Sequence, residues 1–254
     1  MYKRQPQYAG PEVYKFLLNS IDLTTLSSED SDRSVARFTN RVNDFDAEYP
    51  QYGHVAAICV YSNFAEVVKD HLDVDGVDVC VVAGCFPSSQ TFTAVKVADV
   101  ALAVEAGAQE VDVVMNLGMF RDENYEELCD ELIELKHTAK HARLKVILET
   151  GALKTAEAVK RASILAMYCD ADFIKTSTGK IYPGASLEAA YVMCQCIKEY
   201  FEQTGRRVGF KAAGGIRTTR DALNYYAVVR EVLGRNGSTP TCSVWAPPVL
   251  PTPC

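Results

Sequence analysis

Seven short runs of apolar and β-branched residues alternate with longer helical segments along nearly the whole chain, and this alternation restricts the fold more than any other feature. The runs are IDLTTL at 21–26, VAAICVY at 55–61, VDVCVVAG at 77–84, EVDVVMN at 110–116, LKVILET at 144–150, ADFIKTST at 171–178 and VGFKAAGG at 208–215. They are almost continuously apolar, as in strands covered on both faces. Between them, 91–107 ends at Gly107, a favourable residue just past a helix, and 124–142 carries Leu128, Leu132 and Leu135 at helical spacing. Segments 155–169, 186–203 and 219–233 repeat the theme, and Ser27 with Asp30 has the spacing of a capping box before the helical segment at 31–42. Strand followed by helix, repeated, predicts parallel pairing through right-handed crossovers. The expected architecture is an α/β TIM (β/α)8 barrel, which commonly takes roughly 250 residues, and the chain has 254.

The eighth strand is the exception. After Gly234 the chain continues RNGSTPTCSVWAPPVLPTPC, with five prolines in its last fifteen residues. Proline removes a donor that a central strand needs, so only CSVWA could pair. The expected organisation is a barrel domain over 1–234 and an atypical Pro-rich tail over 235–254, with the eighth strand lost or replaced by that tail. If it is lost, strands one and seven expose edges that a closed barrel pairs, lowering stability and weakening phosphate binding.

Composition narrows the partners. A formal net charge of −7 argues against nucleic acid, whose phosphates attract basic faces. No stretch approaches the ~20 apolar residues that span a bilayer, and the first ten residues lack the apolar region of a secretory signal. The nine cysteines are scattered without a CxxC pair, which suits buried free thiols in a reducing cytoplasm. Cys194 and Cys196 are two apart on a helix and make a poor metal pair. His137 and His141 are four apart, but KHTAKHAR reads as a solvated basic face rather than a metal site. No metal and no cofactor is expected.

In parallel barrels, function gathers at the C-terminal strand ends. Those ends offer Asp22 and Thr24, Cys59, Asp112 and Asn116, Glu149, Lys175 with Thr178, and Lys211 with Gly214 and Gly215. Lysine inside an apolar strand is rare, and burial disfavours its charged form. A second ammonium nearby would disfavour it further, leaving one lysine as a neutral nucleophile. The competing structural reading is that Lys175 and Lys211 form internal ion pairs with Asp112 or Glu149. Two turns could take an anion. AAGGIRT at 212–218 offers backbone approach at Gly214 and Gly215, a following helix N-terminus and the fork of Arg217; TSTGK at 176–180 offers Gly179 and Lys180. Either alone could equally be a plain tight turn.

DLTTL at 22–26, AAIC at 56–59, EVDVV at 110–114, LKVILETG at 144–151, DFIKTSTGK at 172–180 and GFKAAGGIRT at 209–218 together resemble the deoxyribose-phosphate aldolase family, in order, from about residue 10 to 234. The resemblance implies a metal-independent class I aldolase that interconverts 2-deoxy-D-ribose 5-phosphate with acetaldehyde and D-glyceraldehyde 3-phosphate. It implies Lys175 as the Schiff-base amine, Lys211 as the second lysine that lowers its pKa, and Asp112 as the carboxylate of a proton relay. It further implies Asp22 and Thr24 as contacts to substrate hydroxyls and Cys59 as a pocket-lining residue. Thr178, Gly179, Lys180, Gly214, Gly215 and Arg217 fall among its substrate and phosphate contacts. A small sugar phosphate is the partner implied, in the cytoplasm, and a homodimer is an admissible assembly.

The family usually finishes with an eighth strand and a GASSL-like turn, which this ending lacks. Codons exist for 235–254 whose shifted frame reads EWLNPDLFRMGASSLANAL, so a frameshifted ordinary ending is one expectation and a lineage-specific tail the other. Two further readings stay open: a different Schiff-base barrel aldolase of transaldolase type, and an impaired barrel that binds sugar phosphate without turning it over.

Overall fold

The computed structural model describes residues 8–234 and the backbone of 243–246. Eight parallel strands follow one another in the sheet in chain order. They are β1 Asp22–Thr24, β2 Ala57–Tyr61, β3 Asp78–Ala83, β4 Glu110–Val114, β5 Arg143–Ile147, β6 Phe173–Lys175, β7 Gly209–Ala213 and β8 Ser243–Ala246. β1 to β4, β6 and β7 each fall inside one of the seven apolar runs, and β5 starts one residue before its run, at Arg143. The tail supplies the eighth: Ser243–Ala246 pairs with β7 in register, Phe210 opposite Ser243 and Lys211 opposite Val244. β8 also comes back alongside β1, so the sheet curls round on itself. The expectation that the strand is replaced by the tail therefore holds, and the expectation of an exposed β7 edge is corrected. The short SVWA segment lies between Pro240 and Pro247 and contains no proline, so it keeps the backbone donors a ladder needs. The rest of the tail, and with it the frameshift question, lies outside the described residues.

The helices are α1 Pro11–Leu18, α2 Asp32–Glu48, α3 Ala65–His71, α4 Thr93–Glu105, α5 Leu117–Arg121, α6 Tyr125–Ala139, α7 Thr150–Leu153, α8 Ala156–Tyr168, α9 Leu187–Thr204 and α10 Thr219–Leu233. Each long one buries a stripe at helical spacing, as Val35, Phe38, Thr39 and Val42 do on α2. These stripes meet the outward-facing strand residues in one continuous core that includes Ile58, Val81, Val111, Val146, Ile174 and Phe210. α2 starts four residues later than the Ser27–Asp30 pattern suggests. Ser31 is its cap and exchanges hydrogen bonds with Ser34, while the Asp30 carboxylate takes the Thr25 hydroxyl and the Ser27 N–H and braces the β1 turn.

Inside the barrel the alternation changes character. The inward positions of β2 and β3 are small and apolar (Ala57, Cys59, Cys80, Val82), walled by Leu26, Tyr61 and Phe86 near the mouth. Those of β1, β4, β5, β6 and β7 carry charges. Barrel interiors are commonly filled by branched apolar side chains, so this substitution of charge for packing points away from a purely structural interior.

Candidate active site

Three lysines and three carboxylates meet on the barrel axis, all deeply buried. Lys175, the last residue of β6, places Nζ 2.6 Å from Asp112 Oδ2, and Lys211 of β7 places its own 2.7 Å from the same oxygen. The two lysines are direct register partners, so the β6–β7 pairing sets their juxtaposition. Lys211 also reaches Asp22 Oδ2 at 2.5 Å across to β1. Lys145, one layer deeper on β5, lies 2.7 Å from Asp22 Oδ2 and 3.8 Å from Asp112 Oδ1, and pairs with Glu110. Glu110 in turn accepts from Arg143 at 2.8 Å, and Arg143 pairs with Asp78 at the lower rim.

Ions this deep require compensation, because an unpaired buried charge is strongly unfavourable. Burial opposes ionising Asp112, yet Lys175, Lys211 and Lys145 together hold its carboxyl well below the usual aspartate range. Asp22 moves the same way: burial opposes its charge and Lys145 and Lys211 outweigh it. Burial likewise opposes charging Lys211 and Lys145, but Asp112 and Asp22 for the first, and Asp22, Cys80 and Glu110 for the second, raise both well above the ordinary lysine value. Lys211 and Lys145 are thus fixed cations, each with at least two carboxylates. Lys175 has one carboxylate contact, on an oxygen it shares with Lys211, and keeps 3% of its surface exposed where Lys211 and Lys145 keep none.

The internal ion pair with Asp112 is therefore present, as the structural reading expected. The pairing with Glu149 is not. The Glu149 carboxylate takes the Thr178 hydroxyl at 2.6 Å and its backbone N–H at 3.2 Å, bracing the turn after Lys175. Burial raises the Glu149 pKa against those two hydrogen bonds. Glu149 adopts a left-handed backbone (φ 54°), a conformation that non-glycine residues seldom take without a local requirement.

The remaining sequence-selected residues divide. Asp22 is central, with Oδ1 left without a hydrogen-bond partner among the described residues. Thr24 is half-buried and its hydroxyl donates to the Asp22 carbonyl at 2.8 Å. Cys59 is buried beside its register partner Cys80. The two glycine turns do come together: Gly184 lies so close to Gly214 that a Cβ on it would overlap the Gly214 carbonyl, and Ala185 N–H donates to the Ala213 carbonyl at 2.9 Å. Gly179, Gly214 and Gly215 all have positive φ, which glycine adopts without strain. Lys180 instead reaches across the mouth to the Leu26 carbonyl. Arg217 has an exposed side chain, and its N–H together with that of Thr218 is already accepted by Asp221, the capping partner of α10. These two N–H groups, from the cap of α10 and the residue before it, are thus already engaged and not open to an anion.

Sequence reading missed Lys145, Glu110, Cys80 and Ser177. Lys145 carries the same signal as Lys175, a lysine inside an apolar run, but it is only the second residue of the 144–150 run. Cys80 Sγ lies 3.4 Å from Asp112 Oδ1, and Ser177 Oγ is buried without a partner among the described residues. Cys59, Cys80 and Asp112, and Asp22, Cys80 and Glu110, bring donor atoms together as a cation site would. Lysine ammoniums already contact Asp22 Oδ2, Glu110 Oε2 and both Asp112 oxygens there. His137 is exposed in the last turn of α6, and His141 is exposed in the turn that follows the helix rather than on it.

A parallel barrel that holds amines against carboxylates beneath its mouth defines an α/β-barrel enzyme. The family model for DeoC/LacD aldolases matches residues 16–237. A Caenorhabditis elegans relative is 41% identical over 220 residues, 86% of this chain and 72% of its own length. The deoxyribose-phosphate aldolase of Mus musculus is 39% identical over 236 residues, 87% of this chain and 72% of that one. Among solved structures, the aldolase QR15 superposes with a TM-score of 0.74 at 29% identity, covering 90% of each chain. The chain belongs to the DeoC/LacD family of aldolases.

Proposed function

We propose that this aldolase acts on 2-deoxy-D-ribose 5-phosphate, releasing acetaldehyde and D-glyceraldehyde 3-phosphate reversibly through a Schiff base on Lys175. The observation that carries the reading is the shared Asp112 oxygen, which places one partly exposed amine and one permanent cation on a single carboxylate.

Lys175 Nζ adds to the C1 aldehyde of the open-chain sugar, and loss of water from the carbinolamine gives an iminium ion. As the C3 hydroxyl loses its proton, the C2–C3 bonding pair moves into an enamine and the triose phosphate departs. Protonation at C2 and hydrolysis then release acetaldehyde. The iminium accepts the electron pair that a free enolate would otherwise carry. Asp112, ionised and in contact with Lys175, takes and returns protons, through an ordered water where reach requires it. Positioned acid–base groups of this kind contribute about 10²–10⁴-fold. Asp22 Oδ1 suits a substrate hydroxyl, with Thr24 beside it, and Cys59 lines the wall. Thr178, Gly179, Lys180, Gly214, Gly215 and Arg217 surround the phosphate end. Lys180 serves once a phosphate draws it off the Leu26 carbonyl.

The catalytic barrel is taken as residues 1–234, with the tail adding β8. We place the enzyme in the cytoplasm, as a homodimer, with the sugar phosphate as partner. No helix among the described residues is long and apolar enough to cross a membrane. Retro-aldol turnover, read as triose phosphate formed, tests the substrate. The expected result is turnover of 2-deoxyribose 5-phosphate. Adducts without turnover would favour the impaired-barrel reading, and preference for another carbonyl donor the transaldolase-type one.

A further inference from the structure

Beneath the Lys175–Asp112–Lys211 group, a column of charge runs down the barrel axis to solvent: Lys145, then Glu110, then Arg143 and Asp78. Lys145 is one ionic contact from Asp112, which faces Lys175, and Glu110 is one contact further away, through Lys145. Lys145 contacts both Asp22 and Asp112, and its position is fixed from below by Glu110 and from the side by the Phe173 ring, 5.5 Å from Nζ. A Cβ on Gly209 would overlap that ring, so the absence of a side chain on β7 at this level makes room for it.

We propose that Lys145 and Glu110 are positioning residues of opposite sign for the Lys175 amine: the Lys145 cation favours the uncharged, attacking form, and the Glu110 carboxylate restrains that effect.

Three buried cations, Lys145, Lys175 and Lys211, face three buried carboxylates, Asp22, Asp112 and Glu110. For Lys175 to attack a carbonyl it must give up its proton, and in a medium of low polarity that step responds to every charge nearby. Removing Lys145 leaves Asp22 and Asp112 to Lys211 and Lys175 alone, so negative potential at Lys175 rises and its proton is held more firmly. Removing the Glu110 charge leaves Lys145 and Arg143 less compensated, so positive potential rises and the proton leaves more readily. Among the described residues, the other titratable groups packed around this network are Asp22 from β1, Cys59 from β2, Asp78 and Cys80 from β3, Asp112 from β4, Arg143 from β5, Lys211 from β7 and Glu149 after β5. The same two substitutions leave all of these in place.

The inference rests on the Schiff-base reading, and the test separates the two. The rate of borohydride-trapped adduct formation with acetaldehyde is followed against pH in the full chain and in Lys145→Met, Lys145→Arg and Glu110→Gln. The acid limb is expected to move up by about one pH unit in Lys145→Met and down by about one unit in Glu110→Gln, as expected for a nearby charge in a partly buried site. Lys145→Arg restores the original limb. Residues with a purely structural role would lower rate and melting temperature together without opposite limb shifts. Limbs that stay in place, or move in the same sense, overturn the inference. If Lys145→Met does not fold, Glu110→Gln decides alone, and an unmoved limb there overturns it. Absence of any trapped adduct in the unaltered chain overturns both this inference and the reading beneath it.

Discussion

Lys175, Lys211 and Lys145 stand on neighbouring strands, and what separates them chemically is how many carboxylates each one touches. The depressed Asp22 and Asp112 and the raised Lys145 and Lys211 make stability depend on pH at both ends. A carboxyl whose pKa falls on folding contributes stability that is complete above its ordinary value of 3.8 and is lost as pH falls through the folded value. An amine whose pKa rises on folding contributes stability that is complete below its ordinary value of 10.5 and is lost as pH rises through the folded value. The urea midpoint is expected to be flat between these values and to fall on either side, with a shallower acid slope in Asp112→Asn. An unchanged acid slope in that variant would show that Asp112 is not a main source of the dependence. At this scale the sequence revealed Lys175, Lys211 and Asp112 because charge in an apolar run is conspicuous. It concealed Lys145 and Glu110, which are the second and first residues of their apolar runs, where catalytic groups are not sought. Lys180 and Arg217 were legible as basic residues in the right turns, but not where their long side chains would rest.

The elements that form the mouth are the turns after β6 and β7, joined by backbone contact rather than by side chains. Gly184 has no room for a Cβ against Gly214, so Gly184→Ala is expected to push the 176–184 turn off the 213–215 turn. The account predicts a raised KM for the sugar phosphate with little change in the rate at which acetaldehyde alone is trapped, because Lys175 and Asp112 are held by strand pairing. Equal loss in both assays would mean that the turns also set the amine. The seven strands were readable because burial on both faces leaves almost continuous apolar runs. The start of α2 was misjudged because Asp30, an apparent capping partner, instead braces the β1 turn. That distinction depends on where the chain bends, which spacing does not encode.

For the whole molecule the decisive element is the one the sequence made hardest to see. β8 is four residues inside a Pro-rich tail, too short for periodicity to show, yet it pairs along β7 beside Lys211. Ending the chain after residue 234 removes that ladder and exposes the β7 edge, so a lower melting temperature and a greater tendency to self-associate are expected from calorimetry and light scattering. An unchanged melting temperature would mean the barrel does not depend on the tail. Sequencing the gene across codons 230–260 separates the two origins of the tail: a GASSL-like turn encoded in a second frame supports the frameshift, and its absence removes it.

All three scales converge on the Lys175 amine. The most direct measurement is borohydride reduction in the presence of acetaldehyde, followed by peptide mass mapping of the unaltered chain and of Lys175→Met. A single two-carbon adduct on Lys175, absent from the variant, is expected. A reduced adduct on Lys211 or Lys145, or one that persists in Lys175→Met, would contradict that expectation.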